Sequence, residues 1–419
     1  MRVGGDRKVA ADVGFCRQDD RRLPDALSLI GGAGSVRQPI FSSSWMTRRV
    51  LLLSGAARPF SKTIPRSFRY TGNVGVCLKA SKGGAILDML KRYEDESLGR
   101  CGALGEMLLP FSFADKRIAV LLATFNGTRF LERQISTIAR QTAGMIDLWV
   151  SDDGSTDGSR DVLEKAARSW KRGAFHILTG PGCGFAENFR SLMLHPHLDA
   201  DYVAFCDQDD EWDHDKLEAA LSWLARQGET PALYCSRTRI VSSDGRTIGL
   251  SPLFSRPPDF RNALVQNIAG GNTMVMNRAA WRLVRDTAHR ASFVSHDWWC
   301  YLIVTGAGGV VYYSSEPKVS YRQHDGNLVG ENSSWRARLS RIKHLMRGRF
   351  REWNSRNLSA LKACCDVLTP SANEAIALFT EARSAGLLRR LQALRRSGVY
   401  RQTLLGEIGL LVACITRRL

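Results

Sequence analysis

The sequence predicts an α/β protein, with a mostly parallel sheet flanked by helices and a basic helical region after it. Three observations predict this. Strand-like apolar runs alternate with helix-like amphipathic runs from residue 116 to residue 206, the pattern of a parallel sheet covered on both faces. The polar clusters of that stretch fall at the carboxyl ends of the strand-like runs, where ligands collect in such sheets. Charge is balanced in the middle of the chain and strongly positive on either side.

The chain has 419 residues and a net charge of +18. Lys and Arg number 18 against 11 acidic residues over 1–115, 24 against 24 over 116–330, and 17 against 6 over 331–419. A nucleic-acid groove needs clustered Lys and Arg, so the balanced centre excludes nucleic acid as its partner. These blocks divide the chain into a poorly structured N-terminal extension (1–115), a folded α/β domain (116–330) and a C-terminal basic helical region (331–419).

The first 105 residues are rich in Gly, Arg and Ser, and only Ala85–Tyr93 reads as a turn or two of helix. Such composition suits an extension without activity. Met107 stands just before the first clear strand and is expected as an alternative start, which would make the upstream residues a gene-model artefact. No apolar h-region follows the basic N-terminus, and no run reaches the length of a transmembrane helix. The ten cysteines form no C-x-x-C pair and read as reduced thiols of a cytoplasmic protein.

From Lys116 each element can be justified in turn. Arg117–Ala123 is a continuous apolar run, the mark of a strand buried on both faces. Thr124–Thr128 is a polar turn, and Phe130–Gln141 has helical spacing. Asp147–Val150 is a second strand, followed by Ser151-Asp152-Asp153-Gly154-Ser155 and a helix over Asp157–Trp170, which Ser155 or Thr156 would cap. Phe175–Leu178 is a third strand, Gly180–Gly184 a glycine-rich loop, and Phe185–Leu194 a third helix. Tyr202–Cys206 is a fourth strand that ends on Asp207.

Three clusters therefore sit at strand ends: Thr124-Phe125-Asn126, Asp152-Asp153-Gly154-Ser155, and Asp207-Gln208-Asp209-Asp210. Three carboxylates within four residues repel one another, and after a buried strand they make sense with a bound cation. Asp oxygens are hard ligands for Mg²⁺ or Mn²⁺, and Mg²⁺ usually takes one or two carboxylates plus phosphate oxygens. A metal bridged to a diphosphate would neutralise it as it leaves.

Ala123-Thr124-Phe125-Asn126-Gly127, Ser151 to Ser159, and Asp207-Gln208-Asp209-Asp210-Glu211-Trp212 together resemble glycosyltransferase family 2. The last motif is similar to its rhamnosyltransferase-like branch, whose members build bacterial surface polysaccharides. The resemblance covers about residues 116–330 and implies a GT-A fold, Rossmann-like, and a nucleotide-sugar donor. It implies that Thr124 and Asn126 line the nucleotide pocket and that Asp152 or Asp153 meets the base. Asp207 and Asp209 would lie on the ribose–diphosphate side, with Asp209 the more direct metal ligand. Trp212 would pack beneath the loop.

The second half supplies the acceptor side. Gly270-Gly271-Asn272 allows close backbone approach to a ligand or a tight bend before a strand. His296-Asp297-Trp298-Trp299 places an Asp beside a His among aromatics, a setting that suits a general base. The resemblance agrees, with His296 in place of a Glu, and makes Asp297 the residue that deprotonates the acceptor hydroxyl. Gly271, Asn272 and Trp298 are expected on the acceptor side. Tyr321-Arg322-Gln323-His324 and the residues to Asn327 resemble the family's closing loop, with Arg322 or His324 on the diphosphate or metal.

Residues 335–365 and 381–416 read as basic amphipathic helices, which suit an anionic membrane surface. The implied protein is an inverting glycosyltransferase, cytoplasmic or peripheral on the inner face of the cell membrane. It would pass a sugar, L-rhamnose from dTDP-L-rhamnose or one from a UDP donor, to a saccharide or lipid-linked saccharide. A metal-dependent phosphohydrolase would need a nucleophile or a two-metal His cluster, and no such spacing is visible. A non-catalytic saccharide-binding protein would have lost the D-x-D pair or the base, and both are present.

Overall fold

The structure, a computed structural model, describes residues 113–323 and 349–419. The N-terminal extension, the helical turn over Ala85–Tyr93, Met107, His324 and the start of the helix read over 335–365 lie outside the described residues.

The central sheet has seven strands, β1 (Arg117–Thr124), β2 (Met145–Asp152), β3 (Phe175–Thr179), β4 (Tyr202–Cys206), β6 (Ala232–Ser236), β9 (Val275–Asn277) and β10 (Val310–Ser314). Their order is β10-β6-β9-β4-β1-β2-β3. All run the same way except β9, which is antiparallel to both β4 and β6. The expected mostly parallel sheet is therefore present. The strands form where β-branched and aliphatic residues run together; the inner strands are buried on both faces, and the edge strands β3 and β10 are partly exposed. Ile118, Val120 and Leu122 of β1 join one apolar cluster, while Ala119 and Leu121 join the other. That alternation is the period-two geometry of a strand between two helical layers.

One layer holds α1 (Thr128–Ala139), α2 (Ser159–Ser169) and α4 (Lys216–Leu224). The other holds α3 (Phe185–Met193), the short α5 (Phe260–Ala263), α6 (Arg278–Ala288) and α7 (His296–Gly306). Helix α2 begins later than expected. Neither Ser155 nor Thr156 caps it; Gly158 takes a left-handed conformation and Asp157 accepts the Ser159 amide at 3.1 Å. A small second sheet has the order β5-β11-β7-β8, from β5 (Glu211–Trp212), β7 (Arg239–Val241), β8 (Thr247–Leu250) and β11 (Val319–Arg322). It pins the exit of the acidic loop to the start of β11.

The C-terminal region is helical as expected, with different boundaries. It contains α8 (Arg349–Lys362), α9 (Pro370–Ser384), α10 (Leu387–Ser397) and α11 (Leu404–Ile415). Helix α9 lies mostly in a stretch left unassigned by periodicity, yet Thr369 caps it and Pro370 opens it, a strong start signal. The helix read over 381–416 is two helices, because Gly398 turns left-handed at φ 66° and ends the first. Phe350, Leu361, Phe379 and Cys414 share one apolar cluster with Trp299 and Leu302 of α7.

Candidate active site

Each parallel strand of the central sheet delivers its carboxyl end to one edge. Because β9 runs backwards, its leading residues Gly270–Met274 arrive at the same edge, through a 3₁₀ turn over Gly271–Thr273. The sheet thus assembles four loops around one cleft, and side chains of those loops tie them together.

Gln208 joins the first loop to the third. Its Oε1 accepts the Thr124 hydroxyl at 2.7 Å and the Phe125 amide at 2.8 Å, and its Nε2 donates to the Phe125 carbonyl. Gly127 is required beside it, since a Cβ there would stand 2.5 Å from Gln208 Oε1. Asn126 joins the first loop to the second. It adopts φ 49°, a left-handed state that Asn tolerates better than most residues. Its Oδ1 accepts the Thr156 amide at 2.9 Å and its own amide donates to Ser155 Oγ at 2.8 Å.

The structure separates the two carboxylates that sequence left equivalent. Asp153 gives one oxygen to the Gly182 amide at 2.7 Å and the other to the Gly184 amide at 2.8 Å, and so holds the glycine-rich loop. Asp152 uses only Oδ1, which accepts the hydroxyl and amide of Ser155 at 2.5 and 3.2 Å.

The four residues of the acidic loop do different things. Asp210 is buried, and its Oδ2 accepts the Asn272 amide at 2.5 Å while Oδ1 accepts the Arg322 backbone amide at 3.3 Å. Burial and the charges of Asp209 and Asp207 push its carboxyl well up. Asp210 therefore does more than shape the turn toward Trp212: it joins the acidic loop to the turn before β9 and to β11. Trp212 is buried beneath the loop, with the Lys216 ammonium 3.4 Å from its ring centroid. Lys216 is itself buried with no hydrogen-bond partner for Nζ, and burial lowers its pKa to about 7.

Asp207 identifies the geometry of the cleft. Its carboxyl is pushed up to about 7 by desolvation, then by the negative charges of Asp209 and of Asp297. The Asp207 carboxyl therefore lies within reach of the charges of both Asp209 and Asp297, although Asp297 enters from α7. Asp297 is held firmly there. Its Oδ1 accepts Ser295 Oγ at 2.5 Å and the Trp298 amide at 2.7 Å, and Oδ2 accepts the Asn267 amide group at 2.9 Å. Behind it, His296 is buried, stacked on Phe189 at 3.8 Å and edge-on to Phe205. Desolvation drops its pKa to about 4, so the ring is neutral near pH 7.

Residues 119–284 match the model of the family described as Glycosyl transferase family 2. The chain is a glycosyltransferase that carries a family 2 domain over this stretch. Asp297 and Arg322 lie beyond the matched stretch. The transferase is similar to the dTDP-rhamnosyl transferase RfbG of Shigella flexneri, 27% identical over 230 residues that cover 53% of this chain and 78% of that one. Among solved structures it is similar to TarS 1–349 of S. aureus in complex with UDP-GlcNAc, at 13% identity and a TM-score of 0.41, over 67% of this chain and 90% of that one. It is also similar to the mannosyltransferase PcManGT of Pyrobaculum calidifontis in complex with GDP-Man and Mn²⁺, at 16% identity and a TM-score of 0.37, over 80% and 96% of the two chains.

The structure gives four of the expected site residues of this transferase partners within the protein. Arg322 is buried and aimed away from the cleft: it donates to the carbonyls of Asp209, Ser242 and Ser243, pairs with Glu211, and lies over the Phe130 ring. Its guanidinium supports the acidic loop from behind. Trp298 is buried and gives its indole N–H to the Ala263 carbonyl at 2.7 Å. One residue along a helix turns the side chain by about 100°, so Trp298 enters the core when Asp297 faces the cleft. Asn272 spends its amide on Asp210 instead of an acceptor. Gly271 permits a close approach, but to a side chain: a Cβ there would meet His296 Nε2 at 2.5 Å.

Sequence reasoning missed Gln208, Asn267 and Lys216. The signal for Gln208 was its place inside an acidic run; for Asn267, its place before Gly270-Gly271. Nothing local marks Lys216, which reads as an ordinary helix-start lysine.

One observation bears on the expected divalent cation. Asp207 and Asp209 crowd negative charge that no cation among the described residues offsets at Asp207. Among the described residues no group of three or more His, Cys, Asp or Glu side chains is placed to hold a metal. Two carboxylates completed by phosphate oxygens is the usual arrangement for Mg²⁺.

Proposed function

We propose that this transferase inverts the anomeric centre of a sugar as it moves it from a nucleoside diphosphate to a saccharide hydroxyl, in polysaccharide synthesis. The observation that supports it most is the firm hold on Asp297, whose oxygens accept Ser295 Oγ, the Trp298 amide and the Asn267 side chain while its charge reaches Asp207. Inversion needs a base on the side of the sugar opposite the leaving group, and one well-placed carboxylate serves. Asp297 Oδ2 accepts a single hydrogen bond, from Asn267, and a carboxylate oxygen has two lone pairs. The second is open to the acceptor hydroxyl. The three hydrogen bonds that Asp297 accepts fix it in place, and so limit the reorganisation the reaction requires.

On the donor side, Asp152 is the residue for the base, since Asp153 is committed to the glycine-rich loop. Thr124 and Asn126 form that pocket's floor through their bonds to Gln208 and Ser155. Asp209 and Asp207 would hold Mg²⁺ or Mn²⁺, which when bound offsets charge on the departing diphosphate. The similarity to a dTDP-rhamnosyl transferase favours dTDP-L-rhamnose as donor, with UDP-sugars as the competing class. Turnover of a donor panel, with and without EDTA, tests the reading. Asp209→Ala and Asp297→Asn should each abolish transfer, and full activity of either variant would remove the role assigned to that residue.

A further inference from the structure

The last helix leaves one whole side uncovered. Leu404, Leu405, Ile408, Leu411, Val412 and Ile415 of α11 are all exposed, by 42% to 77%. Their spacing places them on one face of the helix. Leu410, Ala413 and Cys414 on the opposite side are buried in the core. Helix α11 is therefore apolar on two sides, and only one has a partner among the described residues. Leu387 and Leu388, at the start of α10, extend the patch at 49% and 77% exposure. Arg390 shows that they adjoin it: its Nη1 donates to the carbonyls of Cys414 and Ile415 at 2.7 and 3.3 Å, so the first turn of α10 lies beside the last turn of α11. Exposed apolar patches of this kind mark interaction sites.

The surroundings of the patch are cationic. Residues 385–419 contain seven arginines and a single acidic residue, Glu407. Arg256 pairs with Glu407 at 2.6 Å and neutralises it. Arg389, Arg395, Arg396 and Arg417 are exposed.

Length and charge select the occupant. A helix of 12 residues is about 18 Å long, against a hydrocarbon core of about 30 Å, and no helix among the described residues is long and apolar enough to cross a membrane. An apolar face on such a helix can lie along a bilayer surface but cannot span it. A second copy of the chain is a poor occupant, because a two-fold interface is self-complementary and would set arginines against arginines. Anionic headgroups complement them.

We propose that the exposed face of α11, with the start of α10, seats this protein on an anionic lipid bilayer. The apolar side chains lie at the boundary of headgroups and acyl chains, and the arginines meet lipid phosphates. The docked face is rigidly connected to the acceptor side of the cleft. Gln402, between the two helices, exchanges two hydrogen bonds with the backbone of Arg256, both at 3.0 Å. The Gln402 amide donates to Gln266 at 2.9 Å, and Arg401 donates to the Val265 carbonyl at 2.9 Å. Asn267, the next residue along, holds Asp297. Resting on the transferase reading, this arrangement fixes the base at a set height above a surface that carries a lipid-linked saccharide.

Vesicle flotation of the full chain tests the docking, without donor or acceptor present. The probes are vesicles of phosphatidylcholine alone and of phosphatidylcholine with phosphatidylglycerol at roughly 3:1. The protein should float with the anionic vesicles at low salt and far less with the neutral ones. Leu405→Glu combined with Ile408→Glu, and separately Arg395→Glu combined with Arg396→Glu, should each lower binding at least about tenfold. Their melting temperatures and transfer to a soluble acceptor should match the parent. Absent flotation of the parent protein, or equal flotation of the Leu405/Ile408 variant, would overturn the proposal. So would a lower melting temperature of that variant, which would show the face covered by the chain itself, or a parent dimer that the variant dissociates. Asp297→Asn should float like the parent, so failure of the catalytic reading and failure of the docking are separately visible.

Discussion

Replacing Arg322 by Met removes the support beneath the acidic loop. The guanidinium donates to the carbonyls of Asp209, Ser242 and Ser243 at 3.2, 3.3 and 3.1 Å and pairs with Glu211, while its side chain is almost fully buried. Breaking a buried ion pair by deleting one partner costs roughly 3–5 kcal/mol, because the other charge is left unpaired. Glu211 keeps a second partner, Arg133 at 2.8 Å, and Met retains part of the contact with Phe130. The lower end, about 3 kcal/mol, is therefore expected. For a domain of roughly 150–250 residues each kcal/mol moves the melting temperature by about 2–4 °C, so the variant should melt roughly 6–12 °C lower. Differential scanning fluorimetry without ligand measures this directly. Donor affinity, read afterwards well below the new midpoint, separates the two roles for Arg322. An unchanged melting temperature together with weakened diphosphate binding would refute the supporting role and restore Arg322 to the donor pocket.

Three further outcomes are expected. Asp153→Ala deletes two charge-assisted hydrogen bonds to glycine amides and Asp152→Ala deletes two to Ser155, each worth about 1.5–3 kcal/mol; both should destabilise the protein, but only Asp152→Ala should also weaken nucleotide binding in a thermal-shift titration. His296 has its pKa lowered from 6.5 to about 4 by burial, so its contribution to stability is present above pH 6.5 and is lost as pH falls toward about 4; the difference in stability between the parent and His296→Leu, followed by denaturant melts from neutral to acid pH, should move against the parent over that window. Lys216, lowered from 10.5 to about 7 by burial, has the same sign at higher pH: its neutral form fits the fold, and stability falls as pH drops from 10.5 toward about 7. Lys216→Met should therefore melt higher than the parent at neutral pH, with the gain shrinking as pH rises toward 10, and a constant gain across that range would contradict the assignment.

The sheet was readable where strands are buried on both faces, since β1 and β4 then appear as unbroken aliphatic runs. Strand β9 was not, because three residues carry no periodicity and their direction is set by pairing with β4 and β6. Helix α9 was overlooked for a different reason: its alanines blur the apolar stripe, and only the Thr369-Pro370 start marks it. In the site, carboxylates at strand ends announced the acidic loop. The amides that hold it in place, Gln208 and Asn272, are neutral, and their partners lie far along the chain, so no local pattern reveals them. The contacts of Arg322 behind the loop were not legible because a motif gives residue type and neighbourhood but not side-chain direction. That direction is decided by the carbonyls and the carboxylate that the folded chain gathers behind the loop.

The reversed strand β9 also bears on how this enzyme can be re-engineered. Within the central sheet, the half carrying the nucleotide loops meets the half leading to the acceptor side along one seam, where Tyr202, Val203 and Ala204 face Asn277, Met276 and Val275. Hybrids that recombine a donor half with a foreign acceptor half have a natural junction there. Such hybrids must preserve this short register, the Asp210–Asn272 bond across the top and the Arg322 contacts behind the acidic loop.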